Sequence, residues 1–308
     1  MLARLQQALV LNLLLLAGLW VVATGGRSLA LAFGGLLVLG LGHPLFLALE
    51  FVVAHRLNRQ DPAPPATLPL LLRAWLREVL VAPRVFLWQQ PWRWQAYPDA
   101  LAPEGALPGR RGIVFVHGFV CNRGYWNPWL RRLRGSGHAH VALSLEPVFG
   151  RIDDYVAQIE VAVQRVTAAS GLPPLLVCHS MGGLAARAWL RAHDADARVH
   201  GVITLGTPHH GTWLAGFSRA PNGAQMQLHS DWLQVLARDE PAQRRRLFTC
   251  YYSNCDNIVF PASTAVLPGA QNRLLPGVPH VAMGFEPRVM QEVLAQVGLV
   301  PAAVTTAA

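Results

Sequence analysis

The sequence predicts an α/β architecture, a mostly parallel sheet flanked by helices, preceded by two membrane-spanning helices. Three observations carry this expectation. Two long apolar runs open the chain, short apolar runs alternate with helix-period segments from about Gly112 onward, and the 308 residues are 52% hydrophobic against 14% charged. That balance is too apolar for an ordinary soluble protein.

The first apolar run extends from Gln6 to Ala23 and the second from Leu29 to Ala54, with Gly25, Gly26 and Arg27 between them. Each is about long enough to cross the ~30 Å hydrocarbon core as a helix. A signal peptide is the competing reading of the first run, with Arg4 as its positive end, but the run exceeds the usual ~7–15 apolar residues and a second follows directly. Neither run has a polar face of the kind that marks a helix on a soluble core, although His43, Pro44 and Glu50 interrupt the second. A transmembrane hairpin over 1–60 is therefore expected. Arg4 precedes it and Arg56, Arg59, Arg73 and Arg77 follow it, while the connecting turn carries only Arg27. The positive-inside rule then puts both ends in the cytoplasm, and the use of arginine to the exclusion of lysine favours a GC-rich bacterial source, hence a bacterial inner membrane. A reporter fused after Ala308 that works only outside that membrane would reverse this orientation.

Residues 61–110 read as a linker and interfacial segment. Asp61 to Pro65 is Pro-rich, and Leu68 to Trp94 mixes apolar residues and arginines with Trp75, Trp88, Trp92 and Trp94. Such a mixture suits a membrane interface, and it suits a helix packed on the next domain as well. Residues 111–300 form the expected catalytic domain. The runs Ile113–Val116, Val141–Leu145, Leu175–Cys178, Val202–Leu205 and Leu247–Tyr252 have the length and continuity of strands buried on both faces. Between them Ile152, Tyr155, Val156, Ile159, Val163 and Val166 recur at helical spacing, and Gly182 to Ala192 is rich in Ala, Leu and Arg. Alternation of this kind implies a parallel sheet.

Composition also excludes partners. The net charge of +9 rests on arginine, since the chain has no lysine. The arginines scatter, apart from Arg131, Arg132 and Arg134 and from Arg244 to Arg246, and are not interleaved with aromatics on one motif, so no nucleic-acid partner is expected. Those two clusters read as solvated faces, with attraction to anionic lipid the alternative. Cys121, Cys178, Cys250 and Cys255 lack the CxxC spacing of zinc or redox sites, so no metal or cofactor is expected. Cys250 and Cys255 are close enough in sequence to pair in an oxidising compartment, but a reduced pair fits a cytoplasmic domain better.

The chemistry is centred on Leu175–Val177 followed by Cys178-His179-Ser180-Met181-Gly182-Gly183, a buried strand, a tight turn of small residues and a helix. This is the context of a nucleophile elbow, in which the serine hydroxyl stands clear above the sheet. The residues two on either side must be small, and Gly182 meets that demand; Cys178 stands where glycine is usual. A serine there can also be simply a helix N-cap. The chemical reading needs an acid and a histidine later in the chain, each after a strand. Asp256 follows the run ending at Tyr252, whereas Asp194, Asp196, Asp231, Asp239 and Glu240 lie in polar stretches that read as solvated. His280 is the one histidine after Asp256. The expected triad is Ser180 as nucleophile, His280 as general base and Asp256 as its orienting partner. The backbone N–H groups of Phe119 and Met181 are the expected oxyanion donors, and His117 and His179 are expected to be structural.

These segments resemble bacterial lipases and esterases of the α/β-hydrolase superfamily, triacylglycerol lipases among them. The resemblance covers roughly residues 111–290 and rests on Val116-His117-Gly118-Phe119, His179-Ser180-Met181-Gly182-Gly183, Leu205-Gly206-Thr207-Pro208-His209-His210-Gly211-Thr212 and Gly277-Val278-Pro279-His280. It implies the α/β-hydrolase fold, ester hydrolysis and a cap at 213–236. A structural calcium common in such lipases is not expected, for want of a carboxylate cluster. The substrate expected is a lipid or acyl ester reached at the membrane. The same triad would also serve a thioesterase, an amidase or an acyltransferase, and a membrane scaffold that kept the fold without activity is the reading from a different class.

Overall fold

The computed structural model describes residues 1–101 and 105–299. Six strands form one sheet: β1 (Ile113–Val116), β2 (His140–Ala142), β3 (Leu175–His179), β4 (Gly201–Leu205), β5 (Phe248–Tyr252) and β6 (Gln271–Leu274). Their order is β2-β1-β3-β4-β5-β6, and every neighbouring pair is parallel. β3 is central, so the turn at its carboxyl end sits where open α/β sheets place their ligands.

Alternation along the strands divides the core into two layers. Val114, Val116, Leu176, Cys178, Val202 and Cys250 pack with Ile159, Val163, Leu184 and Trp189 from the helices Val156–Ser170 and Met181–His193. Their neighbours Phe115, Leu175, Val177, Ile203 and Tyr251 face the other way, onto Trp126, Trp129, Leu130, Val289 and Val293. Strands covered on both faces have no polar side, which is why β1, β3 and β4 read as uninterrupted apolar runs. β6 lies at the sheet edge, and Gln271, Asn272 and Arg273 are exposed. The four cysteines are free and buried.

Two helices precede this domain, α1 (Leu2–Gly25) and α2 (Leu29–Leu57), joined by a turn in which the Ser28 side chain accepts from the Leu31 N–H. Both are long and apolar enough to cross a membrane. Their outward side chains are apolar and exposed, Val22 at 82% and Leu14 at 65% among them. A third helix, α3 (Leu68–Pro83), continues through a π-helical turn (Arg84–Gln89). Hydrogen bonds tie α2 to α3 and α1 to the residues just after that turn. Trp75 Nε1 donates to the Pro44 carbonyl at 2.9 Å, and the Gln6 and Gln7 side chains donate to Gln90 and Pro91.

Candidate active site

Strand β3 runs directly into the helix Met181–His193, and Ser180 occupies the turn with φ 53° and ψ −128°. Positive φ is strained for a residue with a side chain and persists only where the surroundings over-determine it. Here they do. The Ser180 N–H donates to the Leu205 carbonyl at 2.9 Å, and Thr207 Oγ1 donates to the Ser180 carbonyl at 2.8 Å. The helix passes so close to β1 that a Cβ on Gly182 would collide with the carbonyl oxygens of Val116 and His117. Cys178 points into the core layer, where burial pushes its thiol well above the usual range. It is no nucleophile.

Asp256 lies in the loop after β5. Its Oδ1 accepts from the N–H groups of Ile258 (2.9 Å) and Val259 (2.7 Å), which leaves Oδ2 to meet His280 Nδ1 at 2.9 Å. His280 starts a short helix, His280–Met283, and is 4% exposed. Burial by itself lowers the affinity of the ring for a proton, but the charge of Asp256 and its hydrogen bond outweigh burial, and the ring titrates above its ordinary value. Gly206 leaves room for the pairing. It follows β4 with φ 58°, and a Cβ there would crowd it, 3.0 Å from Asp256 Oδ2 and 3.2 Å from His280 Nδ1.

The other histidines hold loops. His117 Nδ1 donates to the Gly118 carbonyl at 2.8 Å while Nε2 accepts from the Leu145 N–H at 2.9 Å, a neutral ring whose pKa burial lowers to about 4. His179 stacks on Tyr125, with ring centroids 4.4 Å apart, and its Nε2 donates to the His280 carbonyl at 3.1 Å. Burial holds it well below the usual imidazole range. Phe119 follows β1 in this loop, and Met181 opens the helix after Ser180, among the N–H groups that a helix start leaves without an intrahelical partner.

Ser180, His280, Gly118 and Phe119 border one cavity of about 320 Å³. Among the described residues no hydrogen bond joins the Ser180 hydroxyl to the His280 ring; catalytic hydrogen bonds commonly tighten only when substrate is bound. Val120, Cys121, His179, Asn257, Ile258 and Val281 of the same domain also line it, and one wall comes from the N-terminal helices, with Phe46, Leu47 and Glu50 of α2, Glu78 and Ala82 of α3, and Phe86 of the π-helical turn. The expected cap, 213–236, contributes no lining to it. That segment bonds to the loop after β2 and the turn beyond it, where Asn222 Nδ2 donates to the Val148 carbonyl and Trp232 Nε1 to Asp153, and its first residue, Trp213, stacks on Phe260 of the loop that carries Asp256. Sequence reasoning assigned no site role to Gly206, Thr207, Asn257, Glu50 or Glu78. Gly206 and Thr207 fall in a segment that carries the family resemblance and Asn257 adjoins Asp256, while Glu50 and Glu78 are marked only as the first acid of the chain and the only one between Asp61 and Asp99.

The sequence pattern of the alpha/beta hydrolase family matches residues 113–303. Among proteins with curated descriptions, none matches the chain in sequence. The fold is similar to that of the mature lipase BlEst2 of Bacillus licheniformis, at 20% identity and a TM-score of 0.55 over 65% of this chain and 97% of that one. It is also similar to lipase B of Aspergillus fumigatus, at 18% identity and a TM-score of 0.54 over 62% of this chain and 53% of that one. At these identities the likeness is one of fold alone.

Proposed function

The chain belongs to the alpha/beta hydrolase family, and from that premise we propose that it cleaves carboxylic esters of lipid or acyl substrates through an acyl-enzyme on Ser180. One observation carries this reading: a serine held at positive φ above the sheet borders the same cavity as a histidine paired to a buried aspartate. With Nδ1 donating to Asp256, the Nε2 lone pair of His280 is the proton acceptor. As Ser180 Oγ bonds to the ester carbonyl carbon, its proton passes to Nε2, and Asp256 stabilises the imidazolium. The N–H groups of Phe119 and Met181 receive the negative oxygen of the tetrahedral intermediate, each such donor lowering the barrier by roughly 2.7–4 kcal/mol. Collapse breaks the carbon–oxygen bond to the alcohol, which takes the proton from Nε2. Water then repeats the sequence, with its proton again passing to His280, and releases the acid.

The lipid character of the substrate rests on the cavity wall, which α2 and the π-helical turn line with Phe46, Leu47 and Phe86. It rests also on α1 and α2 as membrane spans, since helices exposing this much apolar surface demand cover. An ester in the bilayer would then enter beside α2. The test is to treat the detergent-solubilised protein and its Ser180→Ala variant with a fluorophosphonate probe and p-nitrophenyl esters of increasing chain length. Wild type is expected to label and to prefer longer acyl chains, and the variant to lose kcat by about 10⁶-fold. A folded wild type that neither labels nor turns over any ester would sink the proposal.

A further inference from the structure

The strongest unexplained feature near the site is a buried acid from outside the hydrolase domain. Glu78 of α3 is fully buried, and its two oxygens accept from the N–H groups of Val281 (2.7 Å) and Ala282 (3.1 Å), the two residues that follow His280. A second acid reaches the same loop by one intermediary. Glu50 Oε2 of α2 accepts from Asn257 Nδ2 at 2.8 Å, and Asn257 Oδ1 accepts from the His280 N–H at 3.3 Å. No arginine pairs with either carboxylate among the described residues. An unpaired buried carboxylate is costly, and packing α3 onto the domain would be served more cheaply by an apolar side chain. We propose that Glu78 and Glu50 are positioning residues for His280, so that α2 and α3, ahead of the hydrolase domain, complete its catalytic machinery.

This rests on His280 being the general base. The backbone of residues 280–282 is then held from four sides: by Glu78, by Asn257 backed by Glu50, by His179 Nε2 on the His280 carbonyl, and by Tyr125, whose hydroxyl donates to the Val281 carbonyl at 3.0 Å. Only the first two come from, or lean on, the N-terminal helices. The charged and titratable groups facing the His280 ring are Asp256, Glu78, Glu50 and His179. Burial pushes the Glu78 carboxyl up to about 7, against the pull of the Val281 N–H and of His280, and the negative forms of both acids favour the protonated ring. A purely structural staple would affect folding; a positioning residue also moves the titration and turnover of the base.

The test uses the full chain in detergent, wild type beside Glu78→Gln and Glu50→Gln, with active sites counted by fluorophosphonate titration and histidine side chains followed by ¹⁵N NMR. Per titrated site, Glu78→Gln is expected to lower kcat by roughly 10–100-fold through misplacement of the ring, with KM changed by less than about twofold. The His280 imidazole titration and the acid limb of kcat/KM should both move to lower pH. Glu50→Gln keeps an acceptor for Asn257 but removes the charge, so it should move the titration in the same direction with a smaller loss of kcat, and it carries the test if Glu78→Gln fails to fold. Wild-type turnover per site and an unmoved His280 titration in the folded variants would overturn the proposal. If wild type neither labels nor hydrolyses, the ester-hydrolase reading fails; the NMR titration then decides the positioning role on its own, supported if His280 moves and overturned if it does not.

Discussion

The two sides of the candidate site are built by different physics. The Ser180 side is local: strand, turn and helix are consecutive, and the strain at φ 53° is held by the adjacent strand β4 and the turn after it, through the Leu205 carbonyl and Thr207. The His280 side is long-range. Its segment is not part of a strand, and one of the contacts that hold its backbone, Glu78 to Val281, spans 203 positions of sequence. The serine sits where the core needs a tight turn, so its geometry is a by-product of folding the sheet. The histidine sits in a loop that folding the sheet alone leaves undefined, so its geometry depends on side-chain hydrogen bonds that a substitution can remove without touching the core.

Substitutions on either side should therefore fail in different ways. After the loss of the nucleophile itself in Ser180→Ala, the largest effect is expected at Asp256→Asn, which preserves size but offers His280 an amide in place of a carboxylate, favouring the wrong tautomer. We expect kcat to fall by roughly 10⁴-fold with a nearly unchanged melting temperature, measured by initial rates beside a thermal melt. A fall in stability to match would erase the contrast. Gly182→Ala attacks the other side, since its methyl would press on the Val116 and His117 carbonyls at the centre of the sheet. Here a loss of about 1–3 kcal/mol of stability in denaturant melts should accompany the loss of activity, because overpacking is felt throughout a close-packed core. Full stability with lost activity would show that the elbow is not built into the core as argued.

The smallest effect is a shift along the pH axis. A general base works only when neutral. The partnership with Asp256 raises the His280 pKa against burial, so kcat/KM should decline as pH falls through a value above the ordinary imidazole midpoint of about 6.5. The pH–rate profile reads it directly, and an acid limb at or below that midpoint would mean that burial outweighs the carboxylate.

How much of the molecule is legible in its sequence depends on where each contact lies. β1, β3, β4 and β5 are visible as apolar runs because both faces are covered, and β5 begins at Phe248, one residue later than the run suggests. The run Val141–Leu145 predicts a strand as far as Leu145, but β2 ends at Ala142; Leu143 N–H makes one more bond to the Phe115 carbonyl of β1, and the Leu145 N–H donates to the His117 ring rather than to a strand. β6 is invisible to a hydropathy reading, since an edge strand of Gln, Asn and Arg carries no buried face. Ser180, Asp256 and His280 stand out by residue order and local context, and the folded chain brings Asp256 and His280 into contact. The contribution of α2 and α3 to the cavity leaves almost no trace in the sequence, because an isolated Glu50 or Glu78 looks like any other acid until its partners roughly 200 positions away are known.

By itself, then, the sequence determined the inner strands of the sheet, the elbow and the two long apolar helices. All three arise from periodicity, residue size and hydropathy, which act between near neighbours in the chain. Only the tertiary structure decided that α2 and α3 line the candidate site, with Glu78 bonded to the backbone that follows His280 and Glu50 to Asn257. A hydrogen bond between distant residues depends on where both ends finally rest, and neither end's own neighbourhood encodes that.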